Sequence, residues 1–404
     1  MNPTRIIMSA VVAAAIASIS VAQGAGAPAS LSAELKPQPV YRAMQAVADW
    51  QLEQYRPEDN TFYEDPSADG HPRGWVYAAL YVGMSAWADI AESSHYRETL
   101  LSLAEKNRWS FAPRIYNADD YAIGQLYIDL YERDRNPKYL APLLAVADII
   151  MASPSTADLE FNKADGVYEF YEDRRYSIVP CKNRWCWADA LFMGPPVWTH
   201  LSELTGDSSY MEFADREFWA TTDYLFDPEE HLFFRDSRYF DQREEDGAKI
   251  FWGRGNGWVL AGITRILKHL PKDHVHRERY EDVFRKMSTA LIRAQTDDGY
   301  WLTSILSPGT YSNPESSGTG FIVYGLAWGV NNGLLDAETF AEPIRRGWQS
   351  LIRAVHPDGK LGWVQQVASK PGSATYDNTQ LYGVGAFLLA GSQVLELARN
   401  DTPD

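Results

Sequence analysis

Five short stretches hold most of the side chains that could do chemistry. In Asn117-Ala118-Asp119-Asp120-Tyr121, two adjacent carboxylates stand just ahead of an apolar helical pattern. Carboxylates at a helix start either cap free backbone N–H groups or are available for acid–base work. Asp189 follows Arg184-Trp185-Cys186-Trp187-Ala188 and precedes Ala190-Leu191-Phe192-Met193-Gly194-Pro195-Pro196. Among Trp187, Leu191 and Phe192, desolvation would raise its pKa and keep it protonated near neutrality, as a general acid must be. A buried, merely hydrogen-bonded Asp is the plainer alternative. Phe251-Trp252-Gly253-Arg254-Gly255-Asn256-Gly257-Trp258 offers two indole faces, glycines that let backbone approach closely, and an Arg that can fork onto a carboxylate. A phosphate loop would need a Lys-Ser/Thr that does not follow. Glu315-Ser316-Ser317-Gly318-Thr319-Gly320 fits a helix cap with close-packing glycines, and Tyr376-Asp377-Asn378 is ambiguous. His274-Val275-His276 lies in a charged linker with no third ligand nearby in sequence, so it reads as solvated histidines. No metal and no organic cofactor is expected. No G-x-S-x-G elbow of a serine hydrolase occurs.

The elements that must position these residues are helices. A 3.6-residue apolar pattern recurs along the chain without long Val/Ile-rich alternation. It predicts about twelve helices: 41–55, 75–92, 96–106, 122–133, 139–152, 187–205, 208–225, 258–270, 280–294, 321–331, 337–354 and 381–398. Odd-numbered segments are amphipathic, while even-numbered ones, such as Phe321–Gly329, are apolar all round and so must be buried on every side. A turn recurs after the odd segments: Asp165-Gly166-Val167-Tyr168, Asp298-Gly299-Tyr300-Trp301 and Asp358-Gly359-Lys360-Leu361. Looser copies are Asp59-Asn60-Thr61-Phe62 and Glu230-His231-Leu232-Phe233. The four turns from 166 onward lie roughly 60 to 68 residues apart, a tandem array of one helical hairpin. Six hairpins with apolar helices inside predict an all-α (α/α)6 barrel. An open solenoid is the alternative, but its repeats usually run about 34–47 residues. The long connectors and the N-termini of the inner helices then share one pole, where all five stretches fall.

Composition narrows the partners. The chain has 404 residues, 45% of them hydrophobic, and a formal charge of −17. Such a surface repels phosphate backbones and anionic headgroups, so neither nucleic acid nor membrane is expected as a partner. The chain carries 14 Trp and 23 Tyr, a supply that suits stacking on sugar rings. After Arg5 an apolar run from Ile6 to Ala17 leads to Ser20-Val21-Ala22. This pattern reads as a secretory signal peptide, 1–22, cleaved after Ala22, with a linker at 23–39 and one barrel domain at 40–404. No later segment is apolar enough to be expected to span a bilayer. Export to the periplasm or medium makes a disulfide between Cys181 and Cys186, five residues apart, the expectation for the only two cysteines. The protein is expected as a monomer or homodimer.

Asn-Ala-Asp-Asp-Tyr-Ala-Ile-Gly-Gln from 117, Trp-Ala-Asp-Ala-Leu-Phe-Met-Gly-Pro-Pro from 187, Trp-Gly-Arg-Gly-Asn-Gly-Trp from 252, Glu-Ser-Ser-Gly-Thr-Gly from 315 and Gly-Val-Gly-Ala-Phe-Leu-Leu-Ala from 383 together resemble glycoside hydrolase family 105. These are the unsaturated rhamnogalacturonyl hydrolases, relatives of the family 88 unsaturated glucuronyl hydrolases. The resemblance covers essentially the whole chain after the leader. It implies an (α/α)6 barrel and an exo-acting hydrolase that removes a 4,5-unsaturated uronic acid from the non-reducing end of lyase-generated oligosaccharides. Such enzymes protonate C4 of the vinyl ether and direct water to C5. By motif position, Asp189 is implied as proton donor and water activator, Asp120 as its assistant, and Trp252, Arg254 and Trp258 as the lining of the sugar subsite. Asn117, Asp119, Trp187 and Met193, in the same motifs, are expected to touch substrate. Where the family pattern carries a His, this chain has Arg235, whose permanent charge could hold the substrate carboxylate or a sulfate on the neighbouring sugar. The competing readings are a polysaccharide lyase on the same barrel and a non-catalytic sugar-binding protein.

Overall fold

Six helical hairpins build the chain described by a computed structural model, in which residues 31–62, 71–161 and 179–400 are described. The expected leader, the linker up to 30 and the Asp165–Tyr168 turn lie outside these residues. Leu31–Asp404 forms one compact unit. The outer helices are α1 (Pro37–Glu53), α3 (His95–Lys106), α6 (Ala141–Ala152), α9 (Ser208–Leu225), α11 (Arg277–Arg293) and α13 (Ala337–Ala354). The inner helices are α2 (Trp75–Ala88), α5 (Gly124–Asp134) with the single turn α4 (Ala118–Tyr121) before it, α8 (Pro195–Thr205) preceded by α7 (Ala190–Met193), α10 (Gly253–His269), α12 (Ser316–Asn331) and α14 (Leu381–Asn400).

What decides between toroid and solenoid is whether the inner ring closes. Each inner helix packs on the next, α2 on α5, α5 on α8, α8 on α10, α10 on α12 and α12 on α14, and α14 returns to pack on α2. The (α/α)6 barrel is therefore closed. At the closing seam the backbones touch: a Cβ on Gly385 would sit 2.1 Å from the Ala79 carbonyl oxygen, so only glycine fits. Every residue of α12 from Ser316 to Gly329 is buried, as its lack of a polar face requires.

The repeated turn has a single physical cause. Asn60, His231, Gly299 and Gly359 hold φ of 64°, 57°, 91° and 100° at the same position of the motif. The looser copies thus place Asn and His where the others place glycine, in the left-handed region. Around two of these turns short antiparallel strands form: β1 (Tyr55–Arg56) with β2 (Thr61–Phe62), and β3 (Phe226–Asp227) with β4 (Leu232–Phe233).

Several boundaries differ from the sequence expectation. Helix α1 starts at Pro37, inside the expected linker, because proline is well suited to the first helical turn. The single helix expected over 187–205 breaks at Gly194, since Pro195 and Pro196 lack N–H donors. The Trp252–Trp258 glycines are not a loop but the first turns of α10. Their smallness serves packing: a Cβ on Gly253 would lie 2.3 Å from the Leu302 carbonyl oxygen. Outer helix α6 is more apolar than expected, with Ile149 54% exposed. Helix α14 is long and apolar enough to cross a membrane by length and composition, contrary to expectation, yet 89% of that window is buried as a wall of the barrel core.

Candidate active site

The inner-helix N-termini bring three carboxylates together at one pole. Asn117 caps α4 by accepting from the Asp119 N–H, and the turn that follows sends Asp120 inward, where it is 1% exposed. Arg114 grips it with Nε at 2.9 Å and Nη2 at 2.7 Å from Oδ1, while its backbone N–H donates to Oδ2 at 2.6 Å. These contacts, charge-assisted at Oδ1 and from backbone at Oδ2, fix the carboxylate's orientation. Asp119 is partly buried, 3.9 Å from Arg114 Nη2. Burial pushes its carboxyl up to about 7, against the attraction of Arg114 and Lys182 and with the repulsion of Asp120 and Asp189. Those couplings place Asp119, Asp189 and Lys182 within one electrostatic neighbourhood.

Asp189 stands immediately before α7, 8% exposed, and its Oδ2 is buried without a hydrogen bond. Burial raises its pKa, opposed by Arg235 and Arg254. Arg235 Nε lies 3.4 Å from that Oδ2. The same guanidinium donates from Nη1 to Asp236 at 2.7 Å, and Asp236 also accepts from Arg238 Nε and Nη2 at 2.8 Å. A backbone bond from the Ala188 N–H to the Arg235 carbonyl at 2.8 Å ties the two segments together. Cys181 and Cys186 are bonded to each other, closing the loop that carries Lys182 and leads to Asp189. Lys182 Nζ lies 6.0 Å from the Trp187 ring centre.

The Gly-rich stretch plays a different part from the one expected. Arg254 is fully buried between the Trp252 ring at 4.4 Å and the Tyr382 ring at 4.7 Å. Its Nη1 donates to the Gln365 carbonyl at 2.6 Å and to Tyr382 Oη at 3.2 Å, and Nη2 to the Gln366 carbonyl at 3.0 Å. The guanidinium is committed to backbone, so it acts on the site as a buried positive charge coupled to Asp189 rather than as a free fork. Trp252 is pinned by Nε1 to Gln365 Oε1 at 2.9 Å, and Trp258 packs on Phe192 and Phe321. Both indoles, like Trp187 and Met193, are at most 2% exposed and form the floor, not an open stacking face. Trp75, at the start of α2, is partly exposed at this pole, 5.3 Å from the Tyr382 ring and 6.3 Å from Trp258. Sequence reasoning missed Trp75, Arg114, Lys182, Asp236, Gln365 and Tyr382. Arg114 alone carried a signal, as a cation three residues before the Asn117 motif. Glu315 caps α12 through the Ser317 and Gly318 N–H groups, and Gly318 packs on the backbone of α10.

The chain as a whole is similar to known proteins. The model of Glycosyl Hydrolase Family 88 matches residues 43–398. An unsaturated 3S-rhamnoglycuronyl hydrolase of Alteromonas sp. (strain LOR) is 38% identical over 88% of this chain and 85% of its own length. Among solved structures, a glycosyl hydrolase family 88 protein from Bacteroides vulgatus aligns with TM-score 0.76 at 26% identity, covering 89% of this chain and 99% of the other. A solved polysaccharide lyase aligns with TM-score 0.76 at 28% identity over 91% and 99%. The family model spans most of the chain and the barrel closes as its members' barrels do: this chain belongs to glycosyl hydrolase family 88.

Proposed function

We propose that the protein is an exo-acting hydrolase that removes a 4,5-unsaturated uronic acid from the non-reducing end of lyase-generated oligosaccharides. The observation that carries this is Asp189: a buried carboxyl with a raised pKa and an unbonded Oδ2, just before α7, on which α4 packs with its Arg114-held Asp120. Protonating a vinyl carbon requires a positioned acid that keeps its proton near working pH. In this reading Asp189 delivers its proton to C4 while water adds to C5 and returns a proton to Asp189. The resulting C5 hemiketal opens to a ketone, leaving a hemiacetal at C1 that expels the neighbouring sugar. Asp120, oriented by Arg114, positions the water or sugar hydroxyls. Asn117 and Asp119 shape the same wall, and Trp75 gives the ring a stacking face over the Trp252–Trp258 floor.

The neighbouring sugar is proposed to be an anionic rhamnose, of the kind named for the Alteromonas relative. Lys182, Arg235 and Arg238 gather positive charge at the mouth of a chain whose formal charge is −17. Export is proposed from the apolar run after Arg5, and the Cys181–Cys186 bond suits an oxidising compartment. N-terminal sequencing of the protein recovered outside the cytoplasm tests this, with Gln23 as the expected first residue. The catalytic reading is tested by incubating the protein with lyase-generated disaccharides and following the ultraviolet absorbance of the C4=C5 bond. Loss of absorbance is expected; a gain with intact polysaccharide would make the protein a lyase, and no change with either would make it a sugar binder.

A further inference from the structure

The opposite pole of the barrel carries a second cluster that the proposed hydrolysis does not use. Asp129 and Glu132 lie toward the C-terminal end of α5, His200 and Glu203 toward that of α8, and His269 is the last residue of α10. The ligating atoms of His200, Glu203 and His269 all lie within 4.8 Å of one another, as do those of Asp129, Glu132 and His200. His200 is therefore common to both groups. At about 1.5 Å per residue, the fifteen steps along α10 from Arg254 to His269 set the cluster roughly 22 Å from the acid pole.

The details favour a cation. His200 and His269 are 2% and 7% exposed, and neither Nε2 is aligned on a hydrogen-bond acceptor. His200 Nε2 sits 3.1 Å from Glu132 and 4.0 Å from Glu203, and His269 Nδ1 sits 2.7 Å from Glu203. Asp129, Glu132 and Glu203 supply three carboxylates here; Arg265 already engages Asp129 at 3.4 Å, and Lys268, Arg133 and Arg135 lie near Asp129 and Glu132. The three helices also direct the negative ends of their dipoles at this pole. His200-x-x-Glu203 and Asp129-x-x-Glu132 put ligand pairs three residues apart on adjacent inner helices, the spacing by which helical bundles build carboxylate–histidine metal centres.

We infer that His200, Glu203 and His269 form a structural site for a borderline divalent transition-metal ion such as Zn²⁺, clamping α8 to the C-terminal end of α10. Mixed imidazole and carboxylate donors select this class over Ca²⁺ or Mg²⁺, which take oxygen alone. The two rings stack 3.5 Å apart at 17°, so their lone pairs run side by side. Binding through both rings therefore requires one of them to turn out of the stack about χ2.

The test uses full-length protein stripped with chelator and titrated with Zn²⁺ alone, read by calorimetry and by melting temperature. One ion should bind per chain and raise the melting temperature. Glu203→Gln, at an exposed side chain and so tolerant of change, should weaken binding at least tenfold, as should His200→Gln. The fold also brings Asp215 to His276 Nδ1 at 2.8 Å and to His274 Nε2 at 3.4 Å, a rival cluster on the surface. A His274→Ala/His276→Ala variant should bind as the wild type does. No binding would overturn the inference, as would binding that survives Glu203→Gln and His200→Gln, whether or not it is lost with His274 and His276.

Discussion

Replacing Arg235 by methionine keeps the side chain's apolar stem and deletes its charge, which isolates what that charge does to Asp189. At 3.4 Å, a pair of unit charges interacts by about 5 kcal/mol at an effective dielectric near 20. Asp236, 2.7 Å from the same guanidinium, cancels part of this field at Asp189. The remainder falls in the range of about 1–3 pKa units usual for an Asp beside an Arg, or about 1.4–4 kcal/mol. Burial already raises the Asp189 pKa and Arg235 opposes that rise, so deleting the charge moves the pKa further up. Asp189 must be protonated to act, and its ionisation sets the alkaline limb of kcat/KM for the free enzyme. The limb should therefore move to higher pH by about 1–3 units in Arg235→Met, and much less in Arg235→Lys, which keeps a charge. The assay is the rate of ultraviolet bleaching of an unsaturated uronyl disaccharide across pH. KM should rise as well if the guanidinium also meets the substrate's anionic group. An alkaline limb that stays in place in a folded Arg235→Met protein would refute the electrostatic coupling of Arg235 to the acid.

Asp119 titrates near 7 in the folded chain and near 4 when unfolded, so folding loses stability as pH rises between those values. Asp119→Asn should raise the melting temperature above pH 7, by a difference worth about 2–4 kcal/mol, and the gain should vanish near pH 4. The Cys181–Cys186 bond closes a short loop, for which chain entropy gives about 2 kcal/mol. A reductant should lower the melting temperature accordingly, and thiol labelling of denatured, unreduced protein should find no reactive sulfur. Gly359→Ala should cost at least about 1–2 kcal/mol, because φ is +100° and the new Cβ would lie 2.5 Å from the Ala46 carbonyl oxygen. Chemical denaturation measures that loss.

Much of the fold was legible because each signal was local. Apolar-all-round segments such as 321–329 and 383–390 read as inner helices, and the repeated turn marks where α1, α9, α11 and α13 reverse. Ring closure itself was inferred from the repeat length, but its physical cause, the contact of Gly83 with Gly385, joins residues about three hundred apart. Asp120 and Asp189 were recognisable as candidate acids from their neighbours. Their environments were not: Arg254 meets Gln365 and Tyr382 across 111 and 128 residues, contacts that no spacing rule anticipates. The same cause explains why Trp252 and Trp258 looked like open stacking faces. A Gly-rich stretch between indoles reads as a sugar-binding loop until the fold shows it wound into α10 against the Leu302 carbonyl. The opposite-pole cluster was invisible for the same reason, since His200 and His269 lie on different helices 69 residues apart.

The central claim is that Asp189 supplies the proton and receives one back, and Asp189→Asn tests it most directly. Asparagine keeps the size and most hydrogen bonds of the site but cannot donate the proton, so both halves of the hydration fail together. Bleaching of an unsaturated uronyl disaccharide should slow by at least about 10²–10⁴-fold, with substrate binding preserved and the melting curve showing a folded protein. Asp120→Asn should cost less. A folded Asp189→Asn protein that bleaches the substrate at near wild-type rate would contradict the account.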